Sequence, residues 1–429
     1  MQLTEDASAA RTSFIDRIGI YPPLAWGYVG LLLFMIGDGV ESGFLSSYLV
    51  YRGLSADKVA WIFTVYGLTA AVAAWLSGAL SDLWGPRQVM GIGLLVWTLF
   101  EVAFLVFGVA PASYPLLLIT YALRGFGYPL FAFGFLVWIT AATPRERLGT
   151  AVGWFWFAFT GGLPTLGSLF ASVMIPKIGH YATLWSSLAL VVLGGLIALL
   201  GIREPTGKYR LAPPDEKPLS TLFSSISIAW RKPKTAIGCI VRVINTAPQF
   251  GYLVFLPLYF TTTVGFSEGQ WLRLLSAMFL SNIIWNLLFG IIGDRLGWRR
   301  TVALCGGVGS AITTLLLYYT PQTLGANYPL CVLAGILYGA TLAGYVPLSA
   351  LMPSLAPEHK GAAMSILNLG AGASVWVGPA IVALFLPTLG VAGVMWIFAG
   401  LYLLSAVLTL FLTLPDEPTK TSLSSLEEL

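Results

Sequence analysis

The amino-acid sequence predicts an all-α membrane protein of twelve transmembrane helices, arranged as two pseudo-symmetric bundles of six. Three observations predict it: a composition too apolar for a chain surrounded by water, twelve apolar runs long enough to cross a bilayer, and a charged motif that returns at the same depth in each half of the chain.

Of the 429 residues, 57% are apolar and only 10% are charged, with a mean hydropathy of +0.81. Soluble domains carry about 25% charged residues, so most of this surface is expected to meet lipid. The formal net charge is +4, but the basic residues are scattered between apolar runs and form no stripe with interleaved aromatics that could follow a phosphate backbone. Nucleic acid is therefore not an expected partner. Cys239, Cys305 and Cys331 fall inside apolar stretches without CxxC or CxxxH spacing, which suggests neither a disulfide framework nor a zinc site. Residues 1–23 are polar and lack the pattern of a cleaved signal, so insertion is expected to use the first apolar helix.

A helix needs about 20 apolar residues to cross a hydrocarbon core of about 30 Å. Twelve such runs are present, at 24–50, 59–81, 89–110, 114–140, 151–174, 182–202, 236–261, 272–293, 302–320, 328–352, 362–386 and 391–414. Polar, Gly or Pro punctuation such as Ala110-Pro111-Ala112-Ser113 and Tyr319-Thr320-Pro321-Gln322 separates them. A closed barrel would need alternating segments of about ten residues, and none recur. With both termini placed inside, 17 of the 23 basic residues fall on the inner side, four outside and two within spans; Lys and Arg are retained on the cytoplasmic side during insertion. The expected organisation is a cytoplasmic segment over 1–23, a bundle over 24–202, a Pro-rich cytoplasmic linker over 203–235, a second bundle over 236–414 and a tail over 415–429. Within the linker, residues 219–230 are equally compatible with an interfacial helix and with a loosely ordered stretch of chain.

A shift of 212 residues superimposes Gly78-x-x-x-Asp82-x-x-Gly85-x-Arg87 on Gly290-x-x-x-Asp294-x-x-Gly297-x-Arg299, and aligns Gly53 with Gly265 and Glu146-x-x-Gly149 with Glu358-x-x-Gly361. Each copy of the charged motif falls at an inner junction, between helices two and three and between eight and nine. Gly is expected to let two helices approach closely there, Asp to pair with a facing Arg or helix end, and Arg to mark the interface. Two copies at matching depth resemble the signature of the major facilitator superfamily, over essentially the whole chain. That resemblance implies an inner gate built from Gly78, Asp82, Gly85, Arg87, Gly290, Asp294, Gly297 and Arg299; the plainer alternative is that they only anchor helix ends. Arg124-Gly125 in helix four resembles the superfamily's buried-arginine motif without its usual glutamine. Gly161-Gly162-x-Pro164-x-x-Gly167 in helix five reads as a packing kink.

Five ionisable side chains lie near mid-span: Asp38, Glu41, Glu101, Arg124 and Arg242. Such a group costs about 2.5 to 3.5 kcal/mol to insert, so it normally faces a cavity and marks a pathway. Asp38 and Glu41, three apart, share a helical face. Asp38 is about 22 Å into its helix at 1.5 Å per residue, a depth that overlaps that of Arg124, so an Asp38–Arg124 ion pair is expected. Burial disfavours the charged form of a carboxylate and a nearby guanidinium favours it, so a change in their separation would load or release a proton. Asp38, Glu41 and Arg124 are the proton-coupling candidates, with a permanently charged structural pair as the alternative; Glu101 reads as structural. In helix seven Arg242, Asn245 and Gln249 form one polar face. Asn282 and Asn286 share a face in helix eight, and Asn368 lies in helix eleven. Amides both donate and accept, which suits a ligand made of hydroxyl groups, although helix-to-helix bonding explains any one of them equally well. Tyr121, Tyr128, Trp154 and Trp156 offer flat walls, or ordinary packing. The expected substrate-binding set is Asp38, Glu41, Arg124, Tyr128, Trp154, Arg242, Asn245, Gln249, Asn282, Asn286 and Asn368.

Gly37-Asp38-Gly39-x-Glu41, Arg124-Gly125-Phe126-x-Tyr128-Pro129-Leu130-Phe131, Gly153-Trp154-Phe155-Trp156, Val241-Arg242-Val243-Ile244-Asn245-Thr246 and His359-Lys360-Gly361-Ala362-Ala363 resemble the bacterial polyol permeases for ribitol and D-arabinitol. Permeases for 2-oxoglutarate look similar too. The resemblance implies proton symport of a sugar alcohol across the inner membrane, by a monomer needing no cofactor beyond the proton. The rival is an organic-anion permease in which Arg124 and Arg242 clasp carboxylates; a drug/proton antiporter would usually have a more apolar cavity. A membrane enzyme lacks support, since His180 and His359 lie in loops and no HExxH, GxSxG or phosphate-cradling loop is present. A sensor would need an output domain.

Overall fold

The computed structural model describes residues 20–144, 147–213 and 227–414. Arg145, Glu146, Lys217, residues 1–19, 415–429 and most of the 219–230 stretch lie outside the described residues. Helix α1 is formed by Ala25–Gly39 and Leu45–Tyr51, with a turn over 40–44 between them. Helices α2 (Ala56–Trp84), α3 (Pro86–Val109) and α4 (Tyr114–Ala142) follow. The stretch Leu148–Gly201 has 54 residues, about 80 Å of helix at 1.5 Å per residue and too long for one crossing. It folds back at Gly179, whose φ of 79° breaks the helical backbone, into α5 and α6. Then come α7 (Pro233–Thr263), α8 (Glu268–Leu296), α9 (Trp298–Leu324) and α10 (Tyr328–Leu355). Ala362–Leu410 folds back at Gly390, φ 63°, into α11 and α12. Among the described residues nine stretches are long and apolar enough to span a membrane; two of them are such pairs, and the interrupted α1 completes twelve.

Local chemistry fixes several of these starts. Ser267 and Gln270 form a capping box on α8. Asn327 caps α10 by accepting from Leu330 N at 3.3 Å. Pro opens α3, α4, α7 and α10, where its missing N–H would have had no helical partner.

The odd-numbered connections, from α1–α2 through α11–α12, lie at one end of the molecule, called here the hairpin end; the others, with the long α6–α7 connection, lie at the linker end. Each hairpin-end connection contains a residue of positive φ, and the repeat shows in their spacing: Gly53 with Gly265, Ala112 with Gly325, and Gly179 with Gly390. Gly85 and Gly297, φ 88° and 89°, make the fourth pair at the linker end. This turn geometry, which L side chains rarely adopt, explains the third position of the charged motif. Among the described residues the close-approach reason offered for its first position does not hold: a Cβ on Gly78 or Gly290 would meet none of their atoms within 4 Å.

Packing differs between the two ends. Toward the hairpin end one continuous apolar core joins Val40, Phe44, Leu45 and Leu49 of the first six helices to Leu256, Phe260, Trp271 and Leu272 of the last six. Polar contacts cross there too: Trp271 Nε1 donates to Gly43 O at 2.7 Å, Ser46 Oγ to Leu253 O at 2.9 Å and Ser276 Oγ to Thr165 O at 3.0 Å. Toward the linker end, Leu31, Phe34, Phe131, Phe135, Trp138 and Phe155 form a core confined to the first six helices.

Candidate functional site

The mid-membrane charges converge on Arg124, which closes the first segment of α4. The helix runs Tyr114–Arg124, turns at Gly125 and Phe126, and resumes as Gly127–Ala142. A Cβ on Gly125 would meet Tyr66 O of α2 at 2.7 Å, and one on Gly127 the Trp97 nitrogen of α3 at 2.9 Å. These two glycines let α4 lie backbone to backbone on its neighbours, which carries the guanidinium into the bundle, where it is 0% exposed.

Arg124 binds Glu41 in bidentate fashion, Nη1 donating to Oε2 at 2.8 Å and Nη2 to Oε1. Nη1 also donates to Glu101 Oε2, while Nη2 stands 3.7 Å from Asp38 Oδ1. Asp38 is held instead by Trp97, whose Nε1 donates to Oδ1 at 2.6 Å. Tyr121 OH donates to Glu41 Oε1 at 2.7 Å. The Tyr121 and Trp97 rings lie 4.7 and 4.9 Å from the guanidinium carbon, within the range where an aromatic face attracts a cation. Three carboxylates thus surround one guanidinium. Asp38 and Glu41 are 3% and 5% exposed, Glu101 0%.

The expected Asp38–Arg124 ion pair is present at 3.7 Å, and Glu41, carried toward the guanidinium by the turn that follows Gly39, makes the closer, bidentate pair. Glu101, read from sequence as structural, also touches Arg124. The interruption of α1 coincides with a π-helical turn in α5 over Gly161–Leu166, which contains Pro164; Leu163 O presses so closely on Gly39 that a Cβ there would overlap it. Where a packing kink was expected, α5 carries this π-helical turn with Pro164 inside it.

Asp38 and Glu41 line a cavity between the two sets of six helices, with Phe63, Tyr66, Tyr121, Tyr128 and Leu163 on the same side and Phe250, Leu253, Val375 and Pro379 opposite. A second cavity, toward the hairpin end, is lined by Val50, Val59, Phe255, Tyr259 and Leu386 and contains no carboxylate or basic side chain among the described residues.

The polar face of α7 lies in the other half. Arg242 forms no ion pair among the described residues, and α11 flanks it through Gly370, where a Cβ would meet the Arg242 Cβ at 3.1 Å. Asn245 is 6% exposed with no partner for Oδ1 among the described residues, while its backbone oxygen accepts from Tyr402 OH at 3.1 Å. Gln249, half-buried, precedes Phe250 on the cavity wall. Asn368 is exposed on α11. Asn282 makes a helix-to-helix bond, its Nδ2 donating to Gly339 O of α10 at 3.1 Å, and within α8 Asn286 Nδ2 donates to Asn282 Oδ1 at 3.3 Å. Trp154 stands edge-on to Phe157, ring centroids 5.5 Å apart, against the core of the first six helices.

The charged motif binds local backbone at the linker end. Asp82 O accepts from Leu211 N and Ala212 N at 3.0 and 3.1 Å, which lays the start of the α6–α7 connection across the α2–α3 corner. Asp294 Oδ1 accepts from Trp298 Nε1 at 2.9 Å, and Arg299 Nη2 donates to Leu410 O of α12 at 2.7 Å. Arg87 is half-buried at the start of α3.

Sequence reasoning missed Trp97, Tyr66 and Phe63. A signal for Trp97 was present: it precedes Glu101 by four residues, so both fall on the face of α3 that meets α4.

Comparison with known proteins agrees with this architecture. The profile of the Major Facilitator Superfamily matches residues 27–273 and 238–428. The alpha-ketoglutarate permease of Bacillus subtilis (strain 168) is 48% identical over 96% of this chain and 94% of its own length. Klebsiella pneumoniae supplies a D-arabinitol transporter, 38% identical over 92% of this chain and 93% of its own, and a ribitol transporter, 37% identical over 89% and 90%. Among solved structures, a point mutant of the nucleoside transporter NupG superposes with a TM-score of 0.72 at 15% identity, covering 91% of this chain and all of that one. A D-xylose-proton symporter reaches 0.67 at 18% identity, covering 92% and 97%. The twelve helices, the repeated corner motif and these matches establish one conclusion: the chain is a multi-pass membrane protein that belongs to the Major Facilitator Superfamily.

Proposed function

We propose that this chain is a secondary active importer that takes up a small hydroxyl-rich solute, a sugar alcohol of the ribitol or arabinitol kind, together with a proton. One observation carries the reading: of three carboxylates gathered on the single guanidinium of Arg124, two, Asp38 and Glu41, line the cavity between the two halves. Fully ionised, the cluster would hold an excess of two negative charges in a low-dielectric interior, which is costly. A proton arriving through the cavity removes part of that excess. The amides of Asn245 and Gln249 face the solute from α7, and Tyr66 and Tyr128 offer aromatic faces to its carbon skeleton. The cycle is alternating access about a central site. The contacts that join the two halves at the hairpin end support reading this structure as closed outside and open inside, with the linker end and both termini cytoplasmic as the basic-residue count implies. The protein sits in the plasma membrane, works as a monomer, uses the proton as its sole coupling ion and catalyses no covalent chemistry.

A second reading, proton-coupled uptake of an organic anion, is favoured by Arg242, a guanidinium without an acidic partner among the described residues, and by the name of the 48% identical relative. Purified protein in liposomes, given radiolabelled ribitol and an inward proton gradient, tests both. Ribitol uptake that collapses with a protonophore and resists excess 2-oxoglutarate supports the first; 2-oxoglutarate uptake that resists ribitol supports the second. Gradient-independent movement of either solute ends the symport reading.

A further inference from the structure

The cavity sees two of the three carboxylates around Arg124, and the third has a different position. Asp38 and Glu41 stand on the cavity wall. Glu101 does not: it lies on α3, is 0% exposed, and its Oε1 has no hydrogen-bond partner among the described residues. A proton reaching the cluster through the cavity therefore meets Asp38 or Glu41 first.

Protonating Glu41 weakens its bidentate pair with Arg124, and a guanidinium with no exposure cannot turn to water instead. Asp38 is poorly placed to take over, being 3.7 Å from Nη2 and already engaged by Trp97. Nη1, however, is shared between Glu41 Oε2 and Glu101 Oε2. Arg124 can move its charge from one carboxylate to the other without moving its helix. We propose that Glu101 is a positioning residue, the fixed counterion that keeps Arg124 neutralised and in place while Glu41 on the cavity wall takes up and releases a proton. This rests on the proton-symport reading.

The groups that face Glu101 are consistent with that division of labour. From α1 come Asp38 and Glu41, and from α4 Arg124; Tyr66 of α2 and Tyr121 of α4 bracket the same guanidinium. Helix α6, packed on α3 where Gly195 meets Leu94, contains no ionisable side chain over 182–201. Among the described residues, no other basic group is positioned to replace Arg124, and no other acid lies behind it.

The test is the pH profile of solute uptake by liposomes containing the full chain, wild type against Glu101→Gln. Without the fixed counterion, Arg124 has no second carboxylate to take its charge when Glu41 lets go, so half-maximal uptake is expected to move to lower pH by roughly one unit, about tenfold in proton activity. A uniform fall in rate with an unchanged midpoint would mean that Glu101 only packs, and overturns the proposal. If Glu101→Gln does not fold, Glu101→Asp, which keeps the charge but draws it back from Arg124, should shift the midpoint the same way by less; a wild-type midpoint in that variant overturns the proposal equally. A wild-type protein whose uptake ignores pH removes the symport reading and this inference with it, an outcome distinct from a flat response confined to the Glu101 variants.

Discussion

His180 and Glu268 meet at 2.8 Å across the hairpin end, the histidine from the α5–α6 turn and the glutamate from the first turn of α8. The imidazole also stacks on Tyr48 of α1, ring centroids 4.9 Å apart and nearly parallel. One side chain thus ties α1 and the α5–α6 corner to the opposite six helices, alongside the Trp271–Gly43 bond. In an alternating-access cycle this contact exists only while the hairpin end is closed, so it biases the equilibrium toward that state by its own free energy. Both side chains are partly exposed, 33% and 25%, where such pairs contribute about 0.2 to 1 kcal/mol. Glu268→Gln and His180→Ala are therefore expected to raise hairpin-side labelling of a cysteine placed at Ser42 by up to about fivefold, measured with a membrane-impermeant maleimide in a cysteine-free background. Labelling that is unchanged or falls would show that the pair does not hold the gate.

At the centre, Asp38→Asn and Glu41→Gln are expected to separate two activities. Each removes a group that can carry a proton past the cavity while leaving the α7 face intact. Gradient-driven accumulation should fall at least about tenfold, one pKa unit's worth of coupling, whereas exchange of labelled for unlabelled solute, which needs no net proton movement, should persist. Arg124→Gln differs in kind. It leaves three buried carboxylates without their cation, a loss of about 3 to 5 kcal/mol for a buried pair, and should lower thermal stability in detergent as well as both transport modes. Accumulation that survives Asp38→Asn and Glu41→Gln together would place the coupling elsewhere.

Arg242 distinguishes the two substrate classes. A guanidinium binding a carboxylate is a charge-assisted, bidentate partner; one facing hydroxyl groups gives an ordinary donor. Arg242→Gln is expected to reduce polyol affinity by less than about tenfold, consistent with a hydrogen bond worth roughly 0.5 to 1.5 kcal/mol. If the solute is an organic anion, the same change should cost more than about a hundredfold, as for a buried charge pair broken on one side. Competition curves for ribitol and 2-oxoglutarate on both proteins read this directly, and equal losses for the two solutes would mean that Arg242 contacts neither head group.

Much of this arrangement was legible in the sequence for a physical reason: ionisable groups are scarce in apolar helices, so Asp38, Glu41, Glu101, Arg124 and Arg242 stand out, and the 212-residue repeat ties the two halves together. What the sequence obscured was which partner each would choose. Helical periodicity places Asp38 and Glu41 on one face but is blind to the break after Gly39, where a π-helical turn of α5 packs against α1. Beside that break Glu41 makes the closer pair with Arg124, and Asp38 the more distant one. The amides of α8 were open to two readings, ligand contact or helix-to-helix bonding, and Gly339 brings α10 close enough for its carbonyl to accept from Asn282. Trp97 went unread because an indole in an apolar helix looks like packing until a carboxylate is found at its nitrogen.

The contact between Gly39 and Leu163 leads to a prediction that tests the break itself. Both Gly39 and Gly78 sit in helices, and the same substitution should act on them in opposite directions. A Cβ on Gly39 would overlap the Leu163 carbonyl, which is backbone and cannot rotate aside; overpacking of this kind costs typically about 1 to 3 kcal/mol. A Cβ on Gly78 meets no atom of the described residues within 4 Å, and replacing a helical glycine by alanine contributes roughly 0.5 to 1 kcal/mol. Gly39→Ala is therefore expected to lower the melting temperature in detergent and to depress uptake, since it pushes α5 away from the turn that presents Glu41. Gly78→Ala should leave the melting temperature unchanged or raise it. The decisive comparison is between the two: equal shifts would mean that α1 and α5 are not packed on Gly39 as described, and the geometry that delivers Glu41 to Arg124 would need another cause.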